Sequence, residues 1–283
     1  MAQTFIKTLY KSSSWCKLLL LILIILILFV GVNTYSYKES FINQNEKFSF
    51  IKEDKIFDNF YSTIYDDIIT DNVKDEYQIG EIINTTNPTQ KSLLLDIGSR
   101  TGDIVNLFNQ KNYNAVGIDK SKSMVDISKK KYPNLNINSG DFENTLIYPA
   151  HTFTHITCIN DAIYYIKNKK HIINNVYEWL IPGGYFILGL SKNKITKLTN
   201  KNKNVFTNFT YKCKIEDHND NILLIQTFKD NKKIRKQEYT LYFEDVNTIL
   251  NYARNVGFII YSQFNLTPVF YNNKINYIFY KPE

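Results

Sequence analysis

The chain has 283 residues, 44% of them hydrophobic, which is enough for one sizeable domain with a core that needs no disulfide or metal staple. Lys and Arg number 34 against 27 Asp and Glu, a formal charge of +7. Arginine contributes only Arg100, Arg235 and Arg254, and the lysine excess is what an AT-rich coding sequence supplies, so the charge does not argue for a nucleic-acid partner.

Residues 1–14 read as an N-terminal tail. Residues 18–32 are apolar or glycine throughout. Extended to Trp15 and Tyr35, the segment reaches about 31 Å as a helix, a match for the roughly 30 Å hydrocarbon core of a bilayer. Trp15 and Tyr35 are placed like interfacial aromatics and Lys17 can snorkel, so residues 15–35 are expected to form a single-pass membrane anchor. The rival, a cleaved signal peptide, is poorly served by "GVNTYSY". Residues 36–50 read as a polar stalk, and 51–283 as one domain.

Within that domain Ile56, Phe57, Phe60, Tyr61, Ile64, Tyr65 and Ile68 recur at helical spacing, with Asp58, Asp66 and Asp67 off the stripe. From residue 92 strands and helices alternate. Strands are predicted at 93–96, 115–119, 135–139, 156–159 and 185–190, and helices at about 103–111, 122–131 and 169–180. The alternation predicts an α/β fold, a parallel sheet with helices on both faces. "IPGGY", 181–185, predicts a turn. Beyond it, strands at 205–215, 222–229 and 234–243 predict an added antiparallel β meander. A helix at 244–256 and strands at 258–264 and 275–280 complete the pattern.

The chemistry-bearing residues cluster at predicted strand ends. The stretch "LLLDIGSRTGDIV", 93–105, is a strand, a glycine-bent loop and a helix start, and Asp96, Asp119, Asp141 and the "CIND" of 158–161 follow at the spacing of successive βα units. Ligands of open α/β sheets bind beyond those ends, and an acid about 20 residues past the loop suits ribose hydroxyls. Asp119 has that place. Gly98 and Gly102 do not make G-x-G-x-x-G, and Asp96 would repel a pyrophosphate but attract an ammonium group. The expected ligand is a nucleoside with a cationic, amine-bearing tail, which disfavours an NAD-type oxidoreductase. His151, His155, His171 and His218 lack metal-ligand spacing, and Cys16, Cys158 and Cys213 are too far apart for a disulfide framework or a paired metal site. No metal is expected.

"LLLDIGSRTG", "AVGIDKSKSMVDISKKKYPN", "NSGDFENTLIYPAHTFTHITCIND" and "YEWLIPGGYFIL" together resemble the ordered motifs of class I S-adenosylmethionine (SAM)-dependent methyltransferases, in the small-domain group called type 11. The resemblance implies a Rossmann-like seven-stranded sheet with SAM as cofactor. It implies that Asp96, Gly98, Arg100 and Gly102 surround the methionine moiety, with Tyr65 bordering it. Asp119 would hold the ribose, Met124 and Phe142 would lie against the adenine, and Asp141 near its amino group. Asn160 would touch the cofactor, and Asn160, Asp161 and Tyr164 would lie where acceptor and methyl group meet. Two residues depart from the motifs. Arg100 replaces a glycine, and two readings stand for it, pairing with the cofactor's carboxylate or pointing to solvent; Thr154 replaces an aspartate and is expected to cap a turn. The expectation is a membrane-anchored methyltransferase with the meander over its substrate side, acting on a small-molecule or protein acceptor the sequence does not identify. Its domain would face the cytosol, where SAM is made. The alternative is an inactive methyltransferase fold serving as a membrane-tethered binding module.

Overall fold

A computed structural model of the chain describes residues 13–15, 18, 21–23, 25, 48–194, 206, 209–218, 221–230 and 233–283. The expected anchor, residues 15–35, and stalk, 36–50, fall mostly outside them. Among the described residues no helix is long and apolar enough to cross a membrane. The chain divides into two compact units, Met1–Ser49 and Phe50–Glu283. In the first, Trp15, Leu18, Leu21, Ile22, Leu23 and Ile25 are exposed.

The larger unit is built on strands β2 (Leu93–Ile97), β3 (Asn114–Asp119), β4 (Asn136–Ser139), β5 (Phe153–Cys158), β6 (Leu180–Ser191), β10 (Ile259–Leu266) and β11 (Tyr271–Tyr280). They form one mixed sheet in the order β10-β11-β6-β5-β2-β3-β4. The pairs from β6 to β4 are parallel, while β11 is antiparallel to both β6 and β10. Side chains alternate between two cores, as the period of two along a strand requires. Leu94, Ile187 and Ile278 pack on one face with α2 (Asn72–Thr86) and α3 (Asp103–Gln110). Leu95, Phe186, Leu188 and Phe279 pack on the other with α1 (Asn59–Ile69), α5 (Lys169–Trp179) and α6 (Val246–Val256). Between β3 and β4 runs α4 (Lys122–Lys131).

A second sheet has the order β1-β9-β8-β7. Its meander of β7 (Thr210–His218), β8 (Asn221–Lys229) and β9 (Ile234–Tyr242) is antiparallel, as expected. Its fourth strand corrects the sequence reading: β1 (Phe48–Lys52) takes residues assigned to the end of the stalk. Five residues carry too little pattern to announce a strand whose partner lies far along the chain.

Three further corrections have local causes. Helix α2 was not expected, because its buried face includes Lys74, Asp75, Gln78 and Thr86 and so shows no continuous apolar stripe. "IPGGY" lies inside β6 instead of forming a free turn. The Gly183 N–H donates to the Lys281 carbonyl at 2.8 Å and the Lys281 N–H to the Gly184 carbonyl at 2.9 Å, pairing that supplies the ladder a turn would lack. Thr154 caps no turn either. It sits within β5, and its hydroxyl donates across the sheet to the Leu93 carbonyl at 3.0 Å.

Candidate functional site

At the end of β2 the chain bends sharply, with φ of 68° at Gly98, 54° at Arg100 and 90° at Gly102. Glycine adopts these values freely, whereas a side chain there costs about 1–2 kcal/mol. The N–H groups of Gly98 and Ser99 donate to the Ile118 carbonyl at 2.9 and 3.1 Å, strapping the loop to β3. The Arg100 N–H donates to Asp119 Oδ2 at 2.9 Å and the Ser121 N–H to Oδ1 at 2.8 Å. One carboxylate therefore fixes both the loop and the start of α4. Ser121 in turn caps α4, its Oγ accepting from the Met124 N–H at 3.1 Å. Gly102 has a packing role: a Cβ there would lie 2.4 Å from Ser128 Oγ and 2.7 Å from Ile137 Cδ1.

Two cavities open on this loop. The first, about 600 Å³, is walled by Tyr65, Asp96, Ser99 and Asn160, and by Lys74, Asp75, Asp161 and Lys274. The second, about 400 Å³, holds Asp119, Met124, Phe142 and Ala162, with Tyr239 and Tyr242 of β9. Thus the meander reaches the Asp119 side. Among the described residues, Gly98 and Arg100 line both. The Arg100 guanidinium stands at that junction, Nη2 donating to the Asn160 carbonyl at 3.0 Å and Cζ 5.5 Å from the ring centroids of both Tyr65 and Tyr165.

Both acids are buried. Asp96 is 5% exposed and accepts from the Thr157 hydroxyl at 2.6 Å. Burial nevertheless pushes its carboxyl up to about 7, because little around it replaces the water that would stabilise the charge. Burial also raises Asp119, opposed by the Ser121 and Arg100 N–H groups. Two hydroxyls of the first cavity, Tyr65 Oη and Ser99 Oγ, are buried without a hydrogen-bond partner. Such groups are expensive to leave unpaired; Ser99 Oγ lies against Gly117 of β3, where a Cβ would meet it at 2.6 Å.

Of the residues expected from sequence, the structure gathers Tyr65, Asp96, Asn160 and Asp161 on the first cavity and Asp119, Met124 and Phe142 on the second, with Gly98 and Arg100 between. Gly102, Asp141 and Tyr164 line neither. Asp141 is exposed, 3.2 Å from Lys120 Nζ. Although burial opposes it, the Glu143 N–H and Lys120 hold its carboxyl below the usual range. Tyr164 is a strut. Its hydroxyl accepts the Ser191 N–H at 2.8 Å and its ring stacks on Phe243 at 5.2 Å.

The sequence reading missed part of the wall of the first cavity. Asp75 Oδ1 accepts from Asn160 Nδ2 at 2.9 Å, Gln78 Nε2 donates to Asn160 Oδ1 at 2.9 Å, and Asn276 Nδ2 donates to Gln78 Oε1 at 2.9 Å. Asn160 is thereby held from α2 and β11. Lys274 pairs with Asp161, and although burial would raise that carboxyl, Lys274 keeps it below the usual range. Burial lowers the Lys74 ammonium and raises the Asp75 carboxyl. The available signal was polar residues at positions 74, 75 and 78 behind Asp71, whose side chain caps α2.

Residues 95–188, the strands and helices that carry this site, match the model of the methyltransferase domain family. The chain is 27% identical over 143 residues to an uncharacterized methyltransferase of Oceanobacillus iheyensis; the alignment covers 46% of this chain and 62% of that one. The chain therefore spans less than two thirds of the length of that curated relative. A crystal structure of a SAM-dependent methyltransferase from Clostridium acetobutylicum superposes with a TM-score of 0.64 at 19% identity, over 80% of this chain and 99% of that one. The SAM-bound amino pentose methyltransferase CalS10 of Micromonospora echinaspora superposes with 0.59 at 13% identity, over 78% and 96%. The fold is that of the SAM-dependent methyltransferases. The residues present fit SAM, the cofactor of those two structures, in both lobes: a buried acid on one side, and an acid with a thioether and an aromatic ring on the other. The junction is where the fit is contested, because Arg100 fills it.

Proposed function

We propose that the chain is a methyltransferase that moves the methyl group of SAM to a small-molecule or protein acceptor. The observation that carries this reading is the pair of buried carboxylates, Asp96 and Asp119, each facing its own lobe of a cavity whose lobes meet at one glycine-bent loop. SAM supplies a methyl group already activated on a positively charged sulfur, so the protein's contribution is alignment and exclusion of water. Asp96 would accept from the ammonium group. Asp119 would accept from ribose hydroxyls on the lone pairs that the Arg100 and Ser121 N–H groups leave. Met124 and Phe142 would flank the adenine. Asn160 and Asp161 stand on the acceptor side, held by Asp75, Gln78 and Lys274. A general base is needed only if the acceptor atom holds a proton at neutral pH.

Calorimetric titration of the folded chain with SAM and with its demethylated product, S-adenosylhomocysteine, tests the reading; absence of binding by both overturns it. A second reading, binding without catalysis, is favoured by the Arg100 side chain at the junction. Mass spectrometry of extracts incubated with labelled SAM separates the two, since a binding module leaves no methylated product. The apolar run at 18–32 supports membrane attachment, with the domain on the cytosolic side. Sequons at Asn84, Asn208 and Asn265 report the side: no glycosylation in a eukaryotic host is expected, and its presence places the domain in the lumen.

A further inference from the structure

A ligand that fills both cavities must cross the surface they share, which among the described residues is Gly98 and Arg100. Gly98 presents no side chain, so Arg100 decides what the crossing looks like. Its guanidinium is held there by the hydrogen bond to the Asn160 carbonyl at 3.0 Å and by the faces of Tyr65 and Tyr165, each 5.5 Å away. Its backbone, at a φ of 54°, is fixed by the bond to Asp119. A guanidinium does not shed its proton in a protein, so this is a permanent positive charge. It also engages the two aromatic faces that another cation at the same place would use.

SAM and S-adenosylhomocysteine differ by one methyl group and one positive charge. Both reside on the sulfur that joins the nucleoside to its amino-acid tail, the part of the molecule that passes from one lobe to the other. We propose that Arg100 determines specificity between these two forms: an internal cation at the waist of the groove, it disfavours the sulfonium relative to the neutral thioether. This rests on the cofactor reading above. Two like unit charges brought together at an effective dielectric of about 20 repel enough to change an affinity more than tenfold. Asp96, Asp119 and Asp161 lie around the same loop and absorb part of that field, leaving roughly a tenfold effect. A guanidinium that instead gripped the cofactor's carboxylate would act on a group the two forms share, and would leave their ratio alone.

The test is calorimetric titration of SAM and S-adenosylhomocysteine into the full chain and into Arg100→Gly, Arg100→Met and Arg100→Lys, with folding checked by circular dichroism. Arg100→Met keeps the length of the side chain and removes its charge. The parent is expected to hold S-adenosylhomocysteine more tightly. Both uncharged variants should bring the two affinities closer by roughly tenfold, mainly by tightening SAM, and Arg100→Lys should keep the parent's ratio. An unchanged ratio in the glycine and methionine variants, including equal weakening of both compounds, overturns the inference. If neither compound binds any of the folded proteins, the cofactor reading itself falls and takes the inference with it.

Discussion

Replacing Asp96 by Asn should make the empty protein more stable and the cofactor harder to bind. A carboxyl raised from 3.8 to about 7 costs on the order of 4 kcal/mol to ionise in place compared with an unfolded chain. The sign follows from the direction of the shift. The folded state holds its proton to higher pH than the unfolded state, so this group's penalty is absent below about pH 4, grows between about pH 4 and 7, and is complete above about 7. An amide has no such penalty, and its oxygen can still accept the Thr157 hydroxyl that now bonds Asp96 at 2.6 Å. Urea denaturation should therefore find Asp96→Asn more stable than the parent by about 1 kcal/mol at pH 4.5 and by up to about 4 kcal/mol at pH 8. Calorimetry at pH 8 should find SAM binding weaker by about 1.5–3 kcal/mol, the worth of a charge-assisted hydrogen bond to an ammonium group. A stability difference that does not change between the two pH values would refute the argument that Asp96 is a buried acid held at a cost for a cationic ligand.

Asp119→Ala should weaken SAM binding by about 1.5–3 kcal/mol and also lower the melting temperature, since the carboxylate anchors the N–H groups of Arg100 and Ser121. A loss of affinity with no thermal shift would contradict that double role. Gly102→Ala adds a Cβ 2.4 Å from Ser128 Oγ at a φ of 90°, and denaturation should show a loss of about 2–4 kcal/mol; tolerance within about 0.5 kcal/mol would mean the loop and α4 are not packed as described. Tyr164→Phe removes the acceptor of the Ser191 N–H and should cost about 1–2 kcal/mol of stability with SAM affinity unchanged, whereas a selective loss of affinity or turnover would return Tyr164 to the site.

The alternation from 93 to 191 was legible because βα units impose two periods and place glycines and acids at fixed offsets. Asp96, Gly98 and Asp119 followed from those offsets, and the cavities contain them. What escaped was structure whose meaning lies elsewhere in the chain. Strand β1 has five residues and exists through its pairing with β9. Helix α2 turns Asp75 and Gln78 inward because Asn160 and Asn276 receive them, and no local pattern announces partners contributed by β11 or the segment after β5. Asp141 and Tyr164 were singled out by motif position, and neither lines a cavity. Asp141 lies by Lys120, and the Tyr164 hydroxyl accepts the Ser191 N–H, contacts made by residues distant in sequence.

Strand β11 lies between β10 and β6, so the seventh strand in sequence is an interior strand in space. It brings Lys274 to Asp161 on the wall of the first cavity and Asn276 to the buried Gln78, and Lys281 just beyond it bonds the Tyr177 and Leu180 carbonyls at 2.7 and 2.9 Å. During synthesis from the N-terminus, β10 leaves the ribosome before the strand it must pair with, and β6 presents a bare edge until Tyr271–Tyr280 arrives. The first cavity thus gains its last residues, Tyr271 to Lys274, after the second has all of its own. A nascent chain halted before Tyr271 has Asp119, Met124 and Phe142 in hand, yet lacks Asn276, which fixes the Gln78 that bonds Asn160.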